Sequence, residues 1–262
     1  MKNMFKKTIY LLMILTILLS SFEPFFAEDS ILKEVEHMSY MDKIQQVQYL
    51  GISLDDATLI PEWILDELII TGQEIDSYSC TTTIMEENNN QHVRVIDQDV
   101  LLVYNFISKN KNASNSSEDV FDIQVYANWG GTPICYFTDV LATSWSSDCT
   151  LKSEWCGIRH ELRGDDYTDC PLLSADVNAG VAHEIDIKLG KNNYIAQKIT
   201  IWRTKQSSPY NLGIVSSYAH KTISFPGSID VTFSPGTSPI FTPSFGVTYT
   251  VAHPAYNSLL VE

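Results

Sequence analysis

The spacing of the hydrophobic positions changes once along the chain, near Gly72. Before Gly72, apolar residues recur at steps of mostly three and four, which is the spacing of one face of an α-helix. The first such stripe contains Ile31, Leu32, Val35, Met38, Met41, Ile44, Val47 and Leu50. We therefore predict a helical N-terminal segment over residues 28–72.

Residues that favour helix ends lie at the expected places in this segment. Gly51 is predicted to end the first helix, because glycine adopts the left-handed conformation of a helix C-cap at little cost. Ser53, with Asp56 three residues later, has the spacing of a cap for a short second helix. Pro61 fits the first turn of a third helix, which we predict to end at Gly72.

After Gly72, apolar and polar residues alternate, as they do in half-buried β-strands. The clearest alternation places apolar side chains at Phe121, Ile123, Val125, Ala127 and Trp129. Eight or more such strands, the last over 245–252, are separated by turns rich in Gly, Pro and Ser. This pattern predicts a mainly β domain over residues 73–262. We expect an antiparallel β-sandwich, Ig-like or jelly-roll-like, after the short helical segment.

Three strand-like segments carry a resemblance to a known group of proteins. They are Phe121–Trp129, Phe137–Trp145 and Ser216–His220. In these segments the chain resembles uncharacterised secreted β-sandwich proteins of Gram-positive bacteria, which have no assigned function. The resemblance implies a signal peptide, a short helical segment and a β-sandwich, and it supplies no catalytic residues.

The first 27 residues have the three parts of a secretory signal peptide. Lys2, Lys6 and Lys7 precede an apolar run over 8–19, and a more polar stretch leads to Ala27. The apolar run has 12 residues, whereas a membrane-spanning helix needs roughly 20. We expect cleavage after Ala27 and a secreted, extracellular mature chain without a transmembrane segment.

The chain is acidic, with 32 Asp and Glu against 17 Lys and Arg and a formal charge of −15. The predicted leader contains three lysines and one glutamate, so the mature chain is more acidic still. This charge argues against a nucleic-acid partner, because phosphates bind basic surfaces. The one cofactor that the sequence leaves open is calcium, in a loose site near Asp165, Asp166 and Asp169.

The chain has five cysteines, and an exported protein meets oxidising surroundings in which disulfides form. The disulfide candidates are Cys135, Cys149, Cys156 and Cys170, which can pair in three ways. One arrangement closes a small loop between Cys149 and Cys156 and joins Cys135 to Cys170 around it. Cys80 is then left over, either as a buried thiol or as an intermolecular link. Zinc fits less well, because no Cys-x-x-Cys pair occurs.

The known sequence motifs of catalytic and metal sites are incomplete in this chain, and the residue that breaks each one can be named. The histidine–glutamate pair at His160 starts like a zinc-protease helix, but Gly164 stands where the second histidine is required. The pair at His183 fails in the same way at Ile187, and no Gly-x-Ser-x-Gly motif occurs. His183 lies on the apolar face of its strand, which predicts a core histidine. We predict no catalytic, cofactor-binding or metal-ligating residue, and we favour a non-enzyme.

Two aromatic residues lie on the polar faces of predicted strands. Trp202 is in phase with Lys198 and Thr200, and Tyr126 alternates with the apolar positions of its strand. Flat aromatic rings on a sheet face stack on sugars or contact other proteins. Tyr126 and Trp202 are therefore candidate ligand-contact residues, provided that no second layer covers them.

The sequence favours a secreted, non-enzymatic binding or interaction module, with an extracellular protein or a carbohydrate as its partner. One alternative is a secreted hydrolase whose carboxylates meet only in the folded protein, since such pairs leave no linear motif. Another is a membrane-active or pore-forming protein, with which the Ser- and Thr-rich strands over 221–251 are compatible. A deep pocket with two carboxylates would favour the hydrolase, and a flat aromatic face would favour the binding module.

Overall fold

A computed structural model of the chain describes residues 31–85, 99–130, 137–146, 148–160, 166–188, 191–223, 227–244 and 247–261. The chain divides between Gln73 and Glu74 into two compact units, one built of α-helices and one of β-strands. The signal peptide predicted over 1–27 lies outside the described residues. It stays a prediction, as do the predicted domain boundaries.

The described part of the helical unit consists of α1 (31–37), α2 (Tyr40–Tyr49), α3 (Leu54–Ala57) and α4 (Glu62–Thr71). The predicted helical segment is confirmed, but its first helix is not continuous. Ser39 interrupts that helix, because its side chain accepts from the Asp42 backbone N–H while the Asp42 carboxylate accepts from the Ser39 N–H. The predicted cap at Ser53 is present, and Gly72 has the left-handed conformation, with φ 61°, after α4.

A buried lysine joins two helices of the helical unit. The Lys43 side chain of α2 is 2% exposed, and its Nζ lies 2.8 Å from Glu62 and 2.6 Å from Asp66 of α4. Burial lowers the pKa of Lys43, but the hydrogen bonds and charges of Asp66 and Glu62 outweigh it, so that the pKa is raised overall. Lys43 therefore stays charged, and it holds α2 against α4 through a paired rather than an isolated charge.

The β unit contains two antiparallel sheets and a small hairpin. The first sheet has the order β1 (Ser77–Met85), β2 (Asp99–Lys109), β3 (Glu118–Trp129), β9 (Tyr194–Thr204), β5 (Thr150–Arg159), β6 (Thr168–Asp169). The second has the order β13 (Thr248–Val251), β10 (Tyr210–Ile223), β4 (Thr138–Trp145), β8 (Gly180–Asp186), β7 (Leu172–Asp176), and β14 (Ala255–Val261) also pairs with β10. The hairpin consists of β11 (Ile229–Thr232) and β12 (Ile240–Pro243).

The inner faces of the two sheets enclose one hydrophobic core. Its buried members include Ile123 and Ile199 from the first sheet and Leu141, Val181 and Ile214 from the second. The predicted antiparallel β-sandwich is therefore confirmed. The sequence pattern did not predict the last strand. This strand, β14, follows the last predicted strand and pairs with β10 along the edge of the second sheet.

A second hydrophobic cluster lies on the outer face of the second sheet, beneath the β11–β12 hairpin. Its buried members are Val140, Ala142, Ala182, Ala219, Ile229, Phe241 and Val247. Small side chains on the sheet leave room for the larger side chains of the hairpin. Gly180 is the extreme case, since a Cβ atom there would lie 2.2 Å from Cδ1 of Phe233.

Side-chain hydroxyl groups close the sandwich between β1 and β14. Each of these strands pairs with one neighbour, so each has a free backbone edge. Ser77 Oγ donates to the Ser258 carbonyl at 2.8 Å, and Thr83 Oγ1 accepts from the His253 N–H at 2.9 Å. These bonds hold β14 and the residue His253 that precedes it against β1.

We expect Gly180→Ala to destabilise the β unit, because the added methyl group overlaps the ring of Phe233. Overpacking of this kind costs about 1–3 kcal/mol. Urea unfolding followed by far-ultraviolet circular dichroism measures the change in the free energy of unfolding.

Gly213→Ala is the matched control for this measurement. Gly213 also lies in a strand of the second sheet, but nothing lies within 4 Å of its Cβ position. Its substitution should change the free energy of unfolding by less than about 1 kcal/mol, and in the stabilising direction. Equal losses of stability in the two variants would contradict the prediction.

Candidate functional site

The outer face of the first sheet carries a partly exposed group of aromatic and charged side chains. β5 and β9 are neighbours, and their register sets Trp155 opposite Lys198. β6 is paired to the other edge of β5, with Asp169 opposite Gly157. The group consists of Trp155, Arg159, Tyr167, Asp169 and Lys198, and we call it the Trp155 face.

Gly157 leaves the space into which the indole ring of Trp155 extends. A Cβ atom at Gly157 would lie 2.5 Å from Cζ2 of Trp155 and 3.0 Å from Cβ of Tyr167, so only glycine fits without movement. The indole N–H donates to Asp169 Oδ1 at 2.8 Å. The ring is therefore held against the sheet before any ligand binds, which lowers the entropy cost of binding.

Basic side chains lie over both rings of the Trp155 face. Lys198 Nζ is 5.6 Å from the centre of the Trp155 ring, and Arg159 Cζ is 4.7 Å from the centre of the Tyr167 ring. The two rings meet edge to face, with centres 5.4 Å apart and an angle of 83° between their planes. Cation–π attraction thus keeps two positive charges beside a pair of perpendicular aromatic rings. Such a surface can contact an apolar ring face and an anionic group together.

One of the two predicted ligand-contact residues is partly accessible and the other is not. Trp202 is half-buried on the same outer face, opposite Thr150 of β5. Tyr126 is fully buried, which corrects its expected exposed position. Its ring meets Phe106 at 6.0 Å, and its hydroxyl donates to Gln124 Oε1 at 2.7 Å. Phe106 belongs to the neighbouring strand β2, so alternation along β3 alone does not reveal this contact.

A layer of polar side chains crosses the interior of the sandwich. Gln197 of β9 is its centre, where its Oε1 accepts from Thr143 at 2.6 Å and its amide nitrogen donates to His183 Nδ1 at 2.9 Å. Thr143 Oγ1 lies 3.0 Å from Ser216 Oγ, which accepts from Asn105 Nδ2 at 3.0 Å. These bonds join the two sheets, because Gln197 and Asn105 belong to the first and the other three residues to the second.

His183 is a core histidine, as predicted from the pattern of its strand. Its side chain is 1% exposed, and its Nε2 lies 2.5 Å from Glu154 Oε2. Burial lowers the pKa of His183, although the hydrogen bond and charge of Glu154 act in the opposite direction. Since Gln197 occupies the other ring nitrogen, His183 has no nitrogen left for a substrate.

A second buried group joins Asp139 to Tyr218 and His220. The Asp139 carboxylate accepts from the Tyr218 hydroxyl at 2.8 Å and lies 2.9 Å from His220 Nδ1. Burial raises the pKa of Asp139 despite these bonds, and burial together with the Asp139 charge raises that of Tyr218. Trp129 packs on His220, with ring centres 4.7 Å apart. The group is enclosed in the protein and stabilises the β4–β10 pair.

The four described cysteines form no disulfide in this structure, with Cys149, Cys156 and Cys170 buried and Cys80 exposed. Cys135 lies outside the described residues. The small loop considered between Cys149 and Cys156 is wrong, because β5 begins at Thr150 and continues as one strand past Cys156. Seven residues of strand span roughly 20 Å, whereas the Cα atoms of a disulfide are at most about 7 Å apart.

The acidic residues near the Trp155 face are dispersed. Asp165 lies outside the described residues, Asp166 is exposed, and Asp169 is bonded to Trp155. In the described ranges, no group of three or more His, Cys, Asp or Glu side chains converges to hold a metal ion. Calcium near these aspartates stays a prediction.

Two cavities formed by described residues contain carboxylates in their walls. One of about 60 Å³ lies beside Cys170 and includes Glu184 and Asp186, but it has room for a few water molecules only. The other is a groove of about 550 Å³ on the helical unit, with Glu34 and Asp42 in its wall. Because Asp42 caps α2, Glu34 is the remaining carboxylate there. Neither cavity resembles a deep site with two available carboxylates.

Comparisons with known proteins assign no family. The sequence matches no protein-family model. No curated protein matches it significantly. In the described part of the chain, no helix is both long and apolar enough to cross a membrane.

Several solved structures are distantly similar to the chain. One is a pore-forming protein, with 6% identity and a TM-score of 0.32 over 69% of this chain and 91% of that one. Another is the pilus backbone RrgB of Streptococcus pneumoniae, with 7% identity and a TM-score of 0.30 over 71% of this chain and 50% of that one. A third is the KRT10-binding region domain of the pneumococcal serine-rich repeat protein PsrP, with 10% identity and a TM-score of 0.31 over 65% of this chain and 99% of that one. These similarities are too distant to support an argument about function.

We expect the buried His183 to make stability depend on pH below its unfolded-state pKa of about 6.5. Because burial lowers its pKa, the unfolded chain takes up a proton that the folded chain rejects. The free energy of unfolding should therefore fall between pH 7.5 and 5.5, by at most about 1.4 kcal/mol from this residue. Urea unfolding at the two pH values, for the wild type and for His183→Gln, isolates the contribution.

His253→Gln is the control, because His253 is an exposed histidine of the same unit. It should keep the pH dependence of the wild type, whereas His183→Gln should show a smaller loss at pH 5.5. If His183→Gln and the wild type lose the same amount of stability on acidification, the lowered pKa is refuted.

Proposed function

We propose that the chain is exported and acts as a non-enzymatic binding module, with the Trp155 face as its contact surface. The observation that carries this proposal is the position of Trp155 above Gly157, where Asp169 fixes its N–H. Holding the indole ring in this way requires a tryptophan and a glycine two residues apart on β5 and a carboxylate opposite that glycine on β6. The ring is nevertheless only half-buried, so this arrangement does not serve to fill a core.

The chemistry of the Trp155 face favours a carbohydrate that carries a carboxylate group. The apolar face of a sugar ring stacks on flat aromatic side chains, and Arg159 and Lys198 supply charged hydrogen-bond donors for a carboxylate. The protein as a whole has a charge of −15, so that a long polyanion is repelled by the rest of the surface. A short acidic oligosaccharide satisfies both conditions.

The two alternative functions receive less support from the described residues. A hydrolase needs an acid or base that reaches its substrate, but His183 is bonded on both ring nitrogens and Asp139 is enclosed. A pore-forming protein needs strands that can leave the fold and enter a membrane. The β11–β12 hairpin, however, buries Ile229 and Phe241 against the second sheet. These apolar side chains already have a partner within the fold.

Trp155→Ala should weaken the binding of a short uronic-acid oligosaccharide by at least about tenfold, which corresponds to about 1.4 kcal/mol. The substitution removes the stacking surface and leaves the sheet intact. Isothermal titration calorimetry on the exported protein measures the affinity. Arg159→Gln should weaken binding of the acidic oligosaccharide but not that of a neutral one of equal length, because it removes a charge and leaves both rings in place.

Lys205→Gln is the control for charge, since Lys205 is exposed beyond the end of β9 and outside the Trp155 face. It should bind as the wild type does, and thermal melting checks that every variant is folded. Unchanged affinity in Trp155→Ala would place the contact elsewhere. A wild type that binds no oligosaccharide, yet retains an extracellular protein, would show that the carbohydrate assignment is wrong.

A further inference from the structure

Cys156 and Cys170 are directly opposite each other on two paired strands. Gly157 is opposite Asp169 in the antiparallel β5–β6 pair, so the next position of the register sets Cys156 opposite Cys170. The Cys170 N–H donates to the Cys156 carbonyl at 2.9 Å, which continues the ladder to this pair. Directly opposite side chains extend from the same face of a sheet, and both cysteines belong to the inner core.

The spacing of such a pair suits a disulfide. Opposite residues that share backbone hydrogen bonds have Cα atoms about 5.5 Å apart. The most frequent Cα separation in disulfides is about 5.5–6 Å. The Cβ atoms of opposite residues are about 4.5–5.5 Å apart, whereas those of a disulfide are about 3.5–4.5 Å apart. Closing the bond therefore needs side-chain rotation and a small approach of β6 towards β5.

The other described cysteines do not offer a comparable partner. Cys149 is separated from Cys156 by the extended strand β5. Cys80 lies on β1, and β2, β3 and β9 stand between β1 and β5 in the sheet. At about 4.8 Å per strand this is roughly 19 Å.

The geometry points to a disulfide between Cys156 and Cys170 in the exported protein. An Sγ–Sγ bond forms as two S–H bonds break, and two protons pass to water. The two electrons, with two protons taken up from water, reduce the disulfide of an oxidant, such as oxidised glutathione or a thiol oxidase, to two thiols. Burial and the neighbouring Cys170 raise the pKa of Cys156, so few thiolates are present once the core has closed. The bond is therefore expected to form while β6 docks during folding.

This disulfide would hold the Trp155 face in place on the first sheet. β6 contains only Thr168 and Asp169, and Asp169 holds the indole of Trp155. Cys170 follows directly, so a bond to Cys156 fixes β6 at the point where it leaves the sheet. The proposal rests on the strand register and stands whether or not the Trp155 face binds a sugar.

Peptide mapping of the full chain, exported to an oxidising compartment, tests the proposal. The protein is denatured in an alkylating reagent without reductant, digested and analysed by mass spectrometry. We expect a linked pair of peptides containing Cys156 and Cys170, with alkylated Cys80, Cys135 and Cys149. Reductant should lower the melting temperature by roughly 6–12 °C, as expected for a loop of about 15 residues in a domain of this size.

The double variant Cys156→Ala/Cys170→Ala should melt at the same temperature with and without reductant. Cys149→Ala is the matched control, because it also removes a buried thiol beside β5 and should keep the sensitivity to reductant. Five alkylated thiols in the wild type would overturn the proposal. A link from Cys135 to Cys156 or Cys170 would overturn it equally, as would a Cys149→Ala protein that is insensitive to reductant.

Discussion

The polar layer inside the sandwich is the constraint on which the rest of the β unit depends. A buried polar group that loses its partner costs about 1–3 kcal/mol, so Gln197, Thr143 and Ser216 must face one another across the two sheets. A slip of one residue in any of their strands would turn these groups outward and bring the wrong side chains into the core. The layer therefore selects one register, which an entirely apolar interior would specify less strictly.

That register determines what each face of β5 presents. Glu154 faces inward to bond His183, so Trp155 must face outward, Cys156 inward and Gly157 outward. The Trp155 face and the cysteine pair consequently lie on opposite faces of β5. A single inward contact fixes the orientation of both, although neither takes part in it.

The sequence predicts the features that depend on one strand or helix and misses those that depend on two. Periodicity along single elements located the helices, the sandwich strands and the core position of His183. The contact of Tyr126 with Phe106 and the bond from Trp155 to Asp169 arise between neighbouring strands, whose order the sequence does not state. β6 was not predicted because two residues carry no measurable period. The signal that the sequence does contain is a glycine two residues after a tryptophan.

The short strand β6 affects both the stability of the sheet edge and the order of the proposed binding surface. Edge strands with few backbone bonds open locally at low free energy, and opening of β6 would take Asp169 away from the indole N–H of Trp155. A ligand would then have to order the site at the moment of binding and would lose affinity accordingly. Contacts of different kinds oppose this opening: the β5–β6 ladder, the Trp155–Asp169 bond and the apposed sulfur atoms of Cys156 and Cys170. The disulfide that we propose between Cys156 and Cys170 would oppose opening most effectively, because a covalent bond limits separation even when the ladder is broken.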